Sequence, residues 1–176
     1  KTFAFMPVRF PQLTSKINYR NHKKILIIDG RIGFMGGINI SDKYVSEGEL
    51  GFWRDTHIFI RGEAVKNLQK IFLVDWIFLS EEKISNQAKY FPPVTIKNTI
   101  PLQVITSGPD SERPLIMEAF FAAISNAKKT IHISTPYFLP NNCILQALRT
   151  ASLSGVSTKI ILPFYSDSKF VHYGSL

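Results

Sequence analysis

The sequence predicts an α/β fold in which a mixed β-sheet is flanked by helices. An Asp-Gly pair at residues 29–30 separates two short apolar runs, which is typical of a β-hairpin. Apolar residues recur every three or four positions from Glu63 to Leu79, as they do on one face of a helix. From residue 102 onward, strand-like and helix-like segments alternate, which is typical of parallel strands joined by helices.

In the first half of the chain, the sequence predicts strands over residues 24–28, 31–35 and 53–61. A helix is predicted over residues 63–79. The strands are indicated by apolar or aromatic runs that end at glycine or at the Asp-Gly turn. We expect the aromatic residues of the helix to pack in the core. Residues 80–101 are polar and contain three prolines, which is typical of a linker between domains.

The second half predicts three more strands with helices between them, over residues 102–107, 130–135 and 157–162. Asp110 or Ser111 is the expected N-cap of the first of these helices. Asn141 or Asn142 is the expected N-cap of the second, and Gly155 is expected to end it.

Composition and charge narrow the class of protein. With 45% hydrophobic and 19% charged residues, the chain is globular rather than disordered. Cys143 is the single cysteine, which excludes an internal disulfide, and the four histidines show no metal-ligand spacing. No apolar run approaches the roughly 20 residues that cross a bilayer. The net charge of +8 is compatible with an anionic partner or with a solvated basic face.

The predicted hairpin brings polar side chains to one face. A two-residue turn would place Lys24 opposite Met35 and His22 opposite Gly37, and side chains alternate along a strand. His22, Lys24 and Asn39 would then share a face around Gly37. An imidazole, an ammonium and a carboxamide suit a phosphoryl group, whose charged oxygens need neutralisation without crowding.

Two aspartates are candidates to orient the imidazole of His22. Asp29 lies seven residues away, which is about 23 Å along a strand, so we expect it to fix the turn instead. Asp55 lies on the next predicted strand among aromatic residues. A partly buried carboxylate needs a partner, and His22 would supply one.

Several segments resemble a known family. His22-Lys23-Lys24, Asp29 and Gly36-Gly37-Ile38-Asn39 match the His-x-Lys-x4-Asp-x6-Gly-Gly/Ser-x-Asn pattern of the phospholipase D superfamily. Other segments are similar to the bacterial cardiolipin synthases: Trp53-Arg54-Asp55-Thr56-His57, Asp75-Trp76, Ser107-Gly108-Pro109-Asp110, Thr135-Pro136-Tyr137-Phe138 and Leu153-Ser154-Gly155-Val156.

The resemblance implies a phospholipase D fold and a reaction that joins two phosphatidylglycerol molecules into cardiolipin and releases glycerol. Two motif histidines, one from each lobe, would share one active site, one forming a phosphohistidine and the other acting as acid and base, without a metal or organic cofactor. By motif matching, the residues that meet the substrate phosphate are His22, Lys24, Gly37 and Asn39. Asp55 would orient His22, and Asp29 is a motif member with an expected structural role.

A second His-x-Lys motif does not occur in this sequence. We therefore expect an internal piece of a longer protein. Residues 1–98 would be the end of the first lobe, and residues 99–176 the start of the second, cut before its motif. The parent would act at the bacterial cell membrane on phosphatidylglycerol, and the piece itself would be soluble.

Two alternatives to this function remain open at this point. The parent could be a phosphodiesterase or nuclease of the same superfamily, in which water or DNA replaces the lipid alcohol. The chain could be a non-catalytic basic module that binds anionic membranes or nucleic acid. We expect the isolated monomer to be inactive, and truncation would leave sheet edges through which the piece could form a homodimer.

Overall fold

The computed structural model describes residues 1–5, 20–45, 47–48, 51–97, 100–108 and 111–164. The chain divides into two compact units, residues 1–104 and 105–176. The described part of the first unit contains β1 (Ile25–Ile28), β2 (Ile32–Gly36), β3 (Glu47–Gly48), β4 (Gly51–Phe52), β5 (His57–Arg61) and α1 (Ala64–Ser80). The described part of the second unit contains α2 (Leu115–Asn126), β6 (Thr130–Ser134), α3 (Asn142–Leu153) and β7 (Ser157–Ile161). These elements confirm the predicted α/β class.

The hairpin of β1 and β2 forms around the predicted Asp29-Gly30 turn. Both Asp29 and Gly30 have positive φ, 52° and 63°, a conformation that aspartate and glycine adopt more readily than most residues. The backbone N–H of Arg31 donates to the carbonyl of Ile28 at 3.0 Å. Ile28 pairs with Ile32, so the loop contains three residues rather than two. The predicted pairing of Ile28 with Arg31 is therefore wrong by one residue.

A three-stranded antiparallel sheet and α1 build the core of the first unit. The sheet has the order β1-β2-β5, and α1 packs against all three strands. The buried core residues are Ile60, Val65 and Leu68, against which Ile25, Ile27, Met35, Ala64, Ile71 and Val104 pack. Gly33 lets the helix approach the sheet, because a Cβ there would lie 2.8 Å from Cδ1 of Leu68.

Two predicted strands differ from the structure. The strand predicted over 53–61 begins only at His57. The strand predicted over 102–107 does not form: residues 100–108 are all described, and none of them lies in a strand. Val104 instead packs against the core of the first unit, so its apolar character reflects burial rather than strand pairing.

The proline-rich segment predicted as a linker also contacts the first unit. The guanidinium of Arg31 donates to the carbonyl of Pro93 at 3.2 Å. A Cβ built on Gly30 would lie 2.7 Å from the carbonyl oxygen of Tyr90 and 2.8 Å from Cδ of Pro92. The segment therefore packs across the hairpin turn.

The second unit contains a parallel pair of strands. β6 and β7 pair in parallel, as predicted, and α3 makes the connection between them. The helices α2 and α3 pack together around a core of Ile124, Ala147, Leu148, Ala151 and Val156.

The helix ends of the second unit test the predicted caps. The side chain of Asn141 accepts a hydrogen bond from the N–H of Ile144 at 3.0 Å, which confirms the cap of α3. Gly155 follows α3 with a φ of 90°, a conformation that glycine adopts most easily. Pro114 rather than Ser111 is the N-cap of α2, and the hydroxyl of Ser111 instead accepts from the N–H of Gly108. Asp110, the other predicted cap, lies outside the described residues.

No helix within the described ranges is long and apolar enough to cross a membrane.

Candidate active site

His22 is exposed and lies three residues before β1. Its Nδ1 lies 3.0 Å from the carbonyl oxygen of Arg20. A carbonyl oxygen only accepts hydrogen bonds, so Nδ1 carries the proton of the neutral imidazole. Nε2 then holds the free lone pair, which is the state that a nucleophile or a general base needs.

Lys24 lies directly before β1 and is half-buried. Its Nζ donates to the backbone carbonyl of His22 at 2.9 Å, so the ammonium is held close to the chain that carries the imidazole. Met35 pairs with Ile25 and not with Lys24, which shifts the predicted hairpin register by one residue. The strand pairing ends there, so the predicted alignment of His22 with Gly37 is not formed.

The two glycines at the end of β2 allow the chain before β5 to approach closely. Gly36 pairs with His57, and the N–H of Gly37 donates to the carbonyl of Thr56 at 3.2 Å. A Cβ on Gly36 would lie 2.6 Å from Nδ1 of His57, and one on Gly37 would lie 2.6 Å from Oδ2 of Asp55. In this structure the space beside Gly37 is therefore occupied by a carboxylate.

The carboxylate of Asp55 is exposed and accepts a hydrogen bond from the backbone N–H of Thr56 at 2.6 Å. Among the described residues, no hydrogen bond joins Asp55 to His22, whose Nδ1 is held by the carbonyl of Arg20. That Asp55 orients His22 during a reaction stays a prediction.

Two further candidates lie at different places in the first unit. The side-chain amide of Asn39 donates to the hydroxyl of Tyr44 at 2.6 Å, in the loop that follows β2. Asp29 is exposed in the hairpin turn, at the opposite end of β1 from His22. The contacts of these two side chains do not join them to His22 or Lys24 in the described part of the chain.

Asp75 of α1 was not among the predicted site residues, yet it contacts both neighbours of His22. It accepts a hydrogen bond from the side-chain amide of Asn21 at 3.1 Å and from Nζ of Lys23 at 2.8 Å. The available signal was its position, because Asp75 is an acidic residue within the apolar run of a helix.

The comparisons with known proteins show which proteins the chain is similar to. The family model described as "Cardiolipin synthase, PLD-like domain" matches residues 120–175. The chain is 45% identical over 173 residues to a cardiolipin synthase of Geobacillus thermodenitrificans, covering 97% of this chain and 34% of that protein. It is 46% identical over 174 residues to a cardiolipin synthase of Alkalihalophilus pseudofirmus, covering 98% of this chain and 35% of that protein.

A third relative, a cardiolipin synthase of Listeria innocua, is 41% identical over 170 residues, which are 96% of this chain and 35% of that protein. By the match over residues 120–175 and by the His-x-Lys pattern at His22, the chain is similar to phospholipase D-like proteins. More particularly, the chain is related to the cardiolipin synthases along nearly its whole length, which confirms the resemblance and the fold class. The chain spans about a third of the length of the curated relatives it matches.

Proposed function

We propose that this chain supplies the first-motif part of a longer cardiolipin synthase, which moves a phosphatidyl group from one phosphatidylglycerol to another. The observation that carries the proposal is the contact of His22: its Nδ1 lies 3.0 Å from a carbonyl oxygen, which favours the tautomer with the lone pair on Nε2. This segment lies within a match that covers 97% of the chain.

The proposed reaction needs two histidines. One attacks the phosphorus through its unprotonated nitrogen, and the bond from phosphorus to the glycerol oxygen breaks. The other donates a proton to that oxygen, and glycerol leaves. The second histidine then takes the proton of the hydroxyl of another phosphatidylglycerol, whose oxygen attacks phosphorus and breaks the bond to nitrogen. His22 is one of the two, in either role.

Lys24 would neutralise the charge that develops on the non-bridging phosphate oxygens. Its ammonium is a point charge on the segment that carries the imidazole, which suits an oxygen beside the reacting phosphorus. Gly37 and Asn39 are proposed to line the same phosphate site in the complete protein, and Asp55 to orient His22 there.

In this proposal, residues 1–98 end the first lobe and residues 99–176 begin the second, whose motif lies outside this chain. The full-length protein would act at the bacterial cell membrane, where its lipid substrate resides. The net charge of +8 supports an anionic lipid surface as the partner.

The test is a product analysis of the full-length protein that contains this chain. Given phosphatidylglycerol in detergent micelles, it should form cardiolipin and glycerol in equal amounts. Phosphatidic acid as the main product would replace the proposal with a phosphodiesterase, and cleavage of DNA would replace it with a nuclease. Binding of anionic vesicles without any product would point to the non-catalytic module.

The isolated chain of 176 residues should form no cardiolipin as a monomer, because it carries one histidine of a two-histidine reaction. A positioned acid or base typically contributes about 10²–10⁴-fold to a rate. The measurement is cardiolipin formation by a fraction shown to be monomeric by light scattering. A rate near that of the full-length protein would contradict the two-histidine mechanism.

The aspartates Asp29 and Asp55 should differ in what their replacement changes. Asp29→Asn should keep both the melting temperature and the rate, because asparagine also tolerates the positive φ of an exposed turn. Surface changes of this kind stay within about 0.5 kcal/mol. Asp55→Asn should fold but lose rate, because an amide stabilises an imidazolium less than a carboxylate does.

Both aspartate variants are compared as rate per folded full-length protein. If the Asp29→Asn protein is fully folded but inactive and the Asp55→Asn protein is fully active, then Asp29 and not Asp55 acts on His22.

A further inference from the structure

We propose that Asp75 is a positioning residue for His22. Its single carboxylate holds the residue before the histidine and the residue after it, and thereby fixes where the imidazole points. This inference rests on the proposed function, in which His22 reacts at phosphorus.

The contacts of Asp75 are made to both sides of the histidine. Its Oδ2 accepts from the side-chain amide of Asn21 at 3.1 Å, and its Oδ1 accepts from Nζ of Lys23 at 2.8 Å. Nζ of Lys23 also lies 2.7 Å from Oδ2. The carbonyl oxygen of the Asn21 side chain accepts from the backbone N–H of Lys23 at 2.9 Å. The chain on each side of His22 is thus fixed by direct hydrogen bonds.

These contacts determine the direction of the histidine. Asn21 and Lys23 reach the same carboxylate, so both side chains point towards α1. These bonds fix the residues on both sides of His22, while its own imidazole contacts the carbonyl of Arg20 rather than this carboxylate. The exposure of His22 agrees with this arrangement.

The sequence of α1 places the carboxylate where it is needed. Asp75 lies seven residues after Leu68, which is two helical turns, so both residues lie on the same face of α1. Leu68 belongs to the core cluster against which Ile25 and Ile27 of β1 pack, whereas Asp75 meets the segment before that strand. Asp75 therefore meets the chain near the point where β1 begins, beyond the core residues Leu68 and Ile71 of the helix.

A carboxylate at this position needs partners, because the side chain of Asp75 is only 21% exposed. Lys23 occupies the position of the His-x-Lys pattern for which no residue type is specified, and its side chain is 42% exposed. A lysine there supplies the positive charge for Asp75. The ion pair between Lys23 and Asp75 thus connects α1 to the motif through the one position of His-x-Lys at which the residue type is not specified.

Aromatic packing fixes the turn of α1 that carries Asp75. The ring of Trp76 stacks on Phe72, with centroids 5.8 Å apart, and meets the edge of Phe3 at 5.0 Å. Its indole N–H donates to Glu82 at 3.1 Å. Hydrogen bonds from Lys1 and Trp76 lower the pKa of the Glu82 carboxyl, so this acceptor is ionised at neutral pH. Asp75 is therefore next to a residue of α1 that is held by two ring contacts and a hydrogen bond.

The test is steady-state kinetics of the full-length protein with Asp75→Asn, which keeps the shape of the side chain and removes its charge. We expect kcat to fall by about 10- to 100-fold, because small displacements of a reacting group have effects of this size. The KM for phosphatidylglycerol and the melting temperature should stay near wild type. The matched control is Glu63→Gln, which removes the ion pair with Lys66 on the same helix and should change neither constant.

A double-mutant comparison separates positioning from general damage. Lys23→Met should also lower kcat, and the Asp75→Asn/Lys23→Met double variant should lose no more than the greater of the two single losses. Additive losses would overturn the inference, as would an unchanged kcat in a folded Asp75→Asn protein. If the wild type itself forms no cardiolipin, the proposed function fails instead.

A readout without activity keeps the inference testable in that case. In protein labelled with ¹⁵N-histidine, the imidazole signals of His22 should report the tautomer with the proton on Nδ1 in wild type. In Asp75→Asn this population should fall, because the chain that holds the Arg20 carbonyl against Nδ1 is loosened. An unchanged tautomer population would overturn the positioning role.

Discussion

Replacing His22 with alanine in the full-length protein should lower the rate of cardiolipin formation by at least about 10²–10⁴-fold, the usual contribution of a positioned acid or base. Without the imidazole of His22, the first motif has no nitrogen that could attack phosphorus or exchange a proton with the alcohol. The melting temperature should stay close to wild type, because the side chain is exposed and makes one hydrogen bond to a backbone carbonyl.

The control for this variant is His132→Ala. His132 is also an exposed histidine, but it lies on β6 of the second unit and begins no His-x-Lys pattern. Its replacement should leave the rate unchanged. Equal rates for the two alanine variants would remove His22 from the reaction.

Lys24→Ala should lower the rate by about 10²–10³-fold, as the loss of one preorganised donor to a developing charge does. Lys24→Arg should recover little of the loss, because a planar guanidinium does not replace a compact ammonium at a close phosphate contact. The measurement is the rate per folded full-length protein for both variants.

The matched control is Lys70→Ala, which removes the same charge from an exposed position of α1. It should keep the wild-type rate. If Lys24→Arg is as active as wild type, the point-charge role of Lys24 is wrong. If Lys70→Ala loses as much as Lys24→Ala, the effect comes from net charge and not from the phosphate site.

Much of the fold could be predicted because it depends on local patterns. The Asp29-Gly30 turn, the helix α1 and the Asn141 cap are each determined by a few neighbouring residues, and the structure contains all three. The aromatic residues of α1 were expected to pack in the core, but Phe72 and Phe78 are exposed. The hairpin register could not be predicted in this way. The loop has two residues if Arg31 belongs to the strand and three if Arg31 belongs to the turn. The conformational preference of arginine does not decide between these two cases.

The site was predicted in part for a similar reason. The motif pattern identifies His22 and Lys24, because their spacing is a property of the sequence itself. The acceptor for the imidazole is a backbone carbonyl, which has no side-chain signature. Asp75 lies 52 residues along the chain from Lys23, so its contact depends on the packing of α1 against the sheet. The strand predicted over 102–107 failed because its apolar residue Val104 is buried against another element.

A segment exchange tests most directly whether this chain acts as the first-motif part of a cardiolipin synthase. Residues 1–176 would replace the matching third of the Geobacillus thermodenitrificans cardiolipin synthase, to which they are 45% identical. The hybrid should form cardiolipin from phosphatidylglycerol in a strain that otherwise lacks cardiolipin, and the hybrid with His22→Ala should not. A hybrid that is folded and membrane-bound but forms no cardiolipin would contradict the claim, as would one whose activity survives the loss of His22.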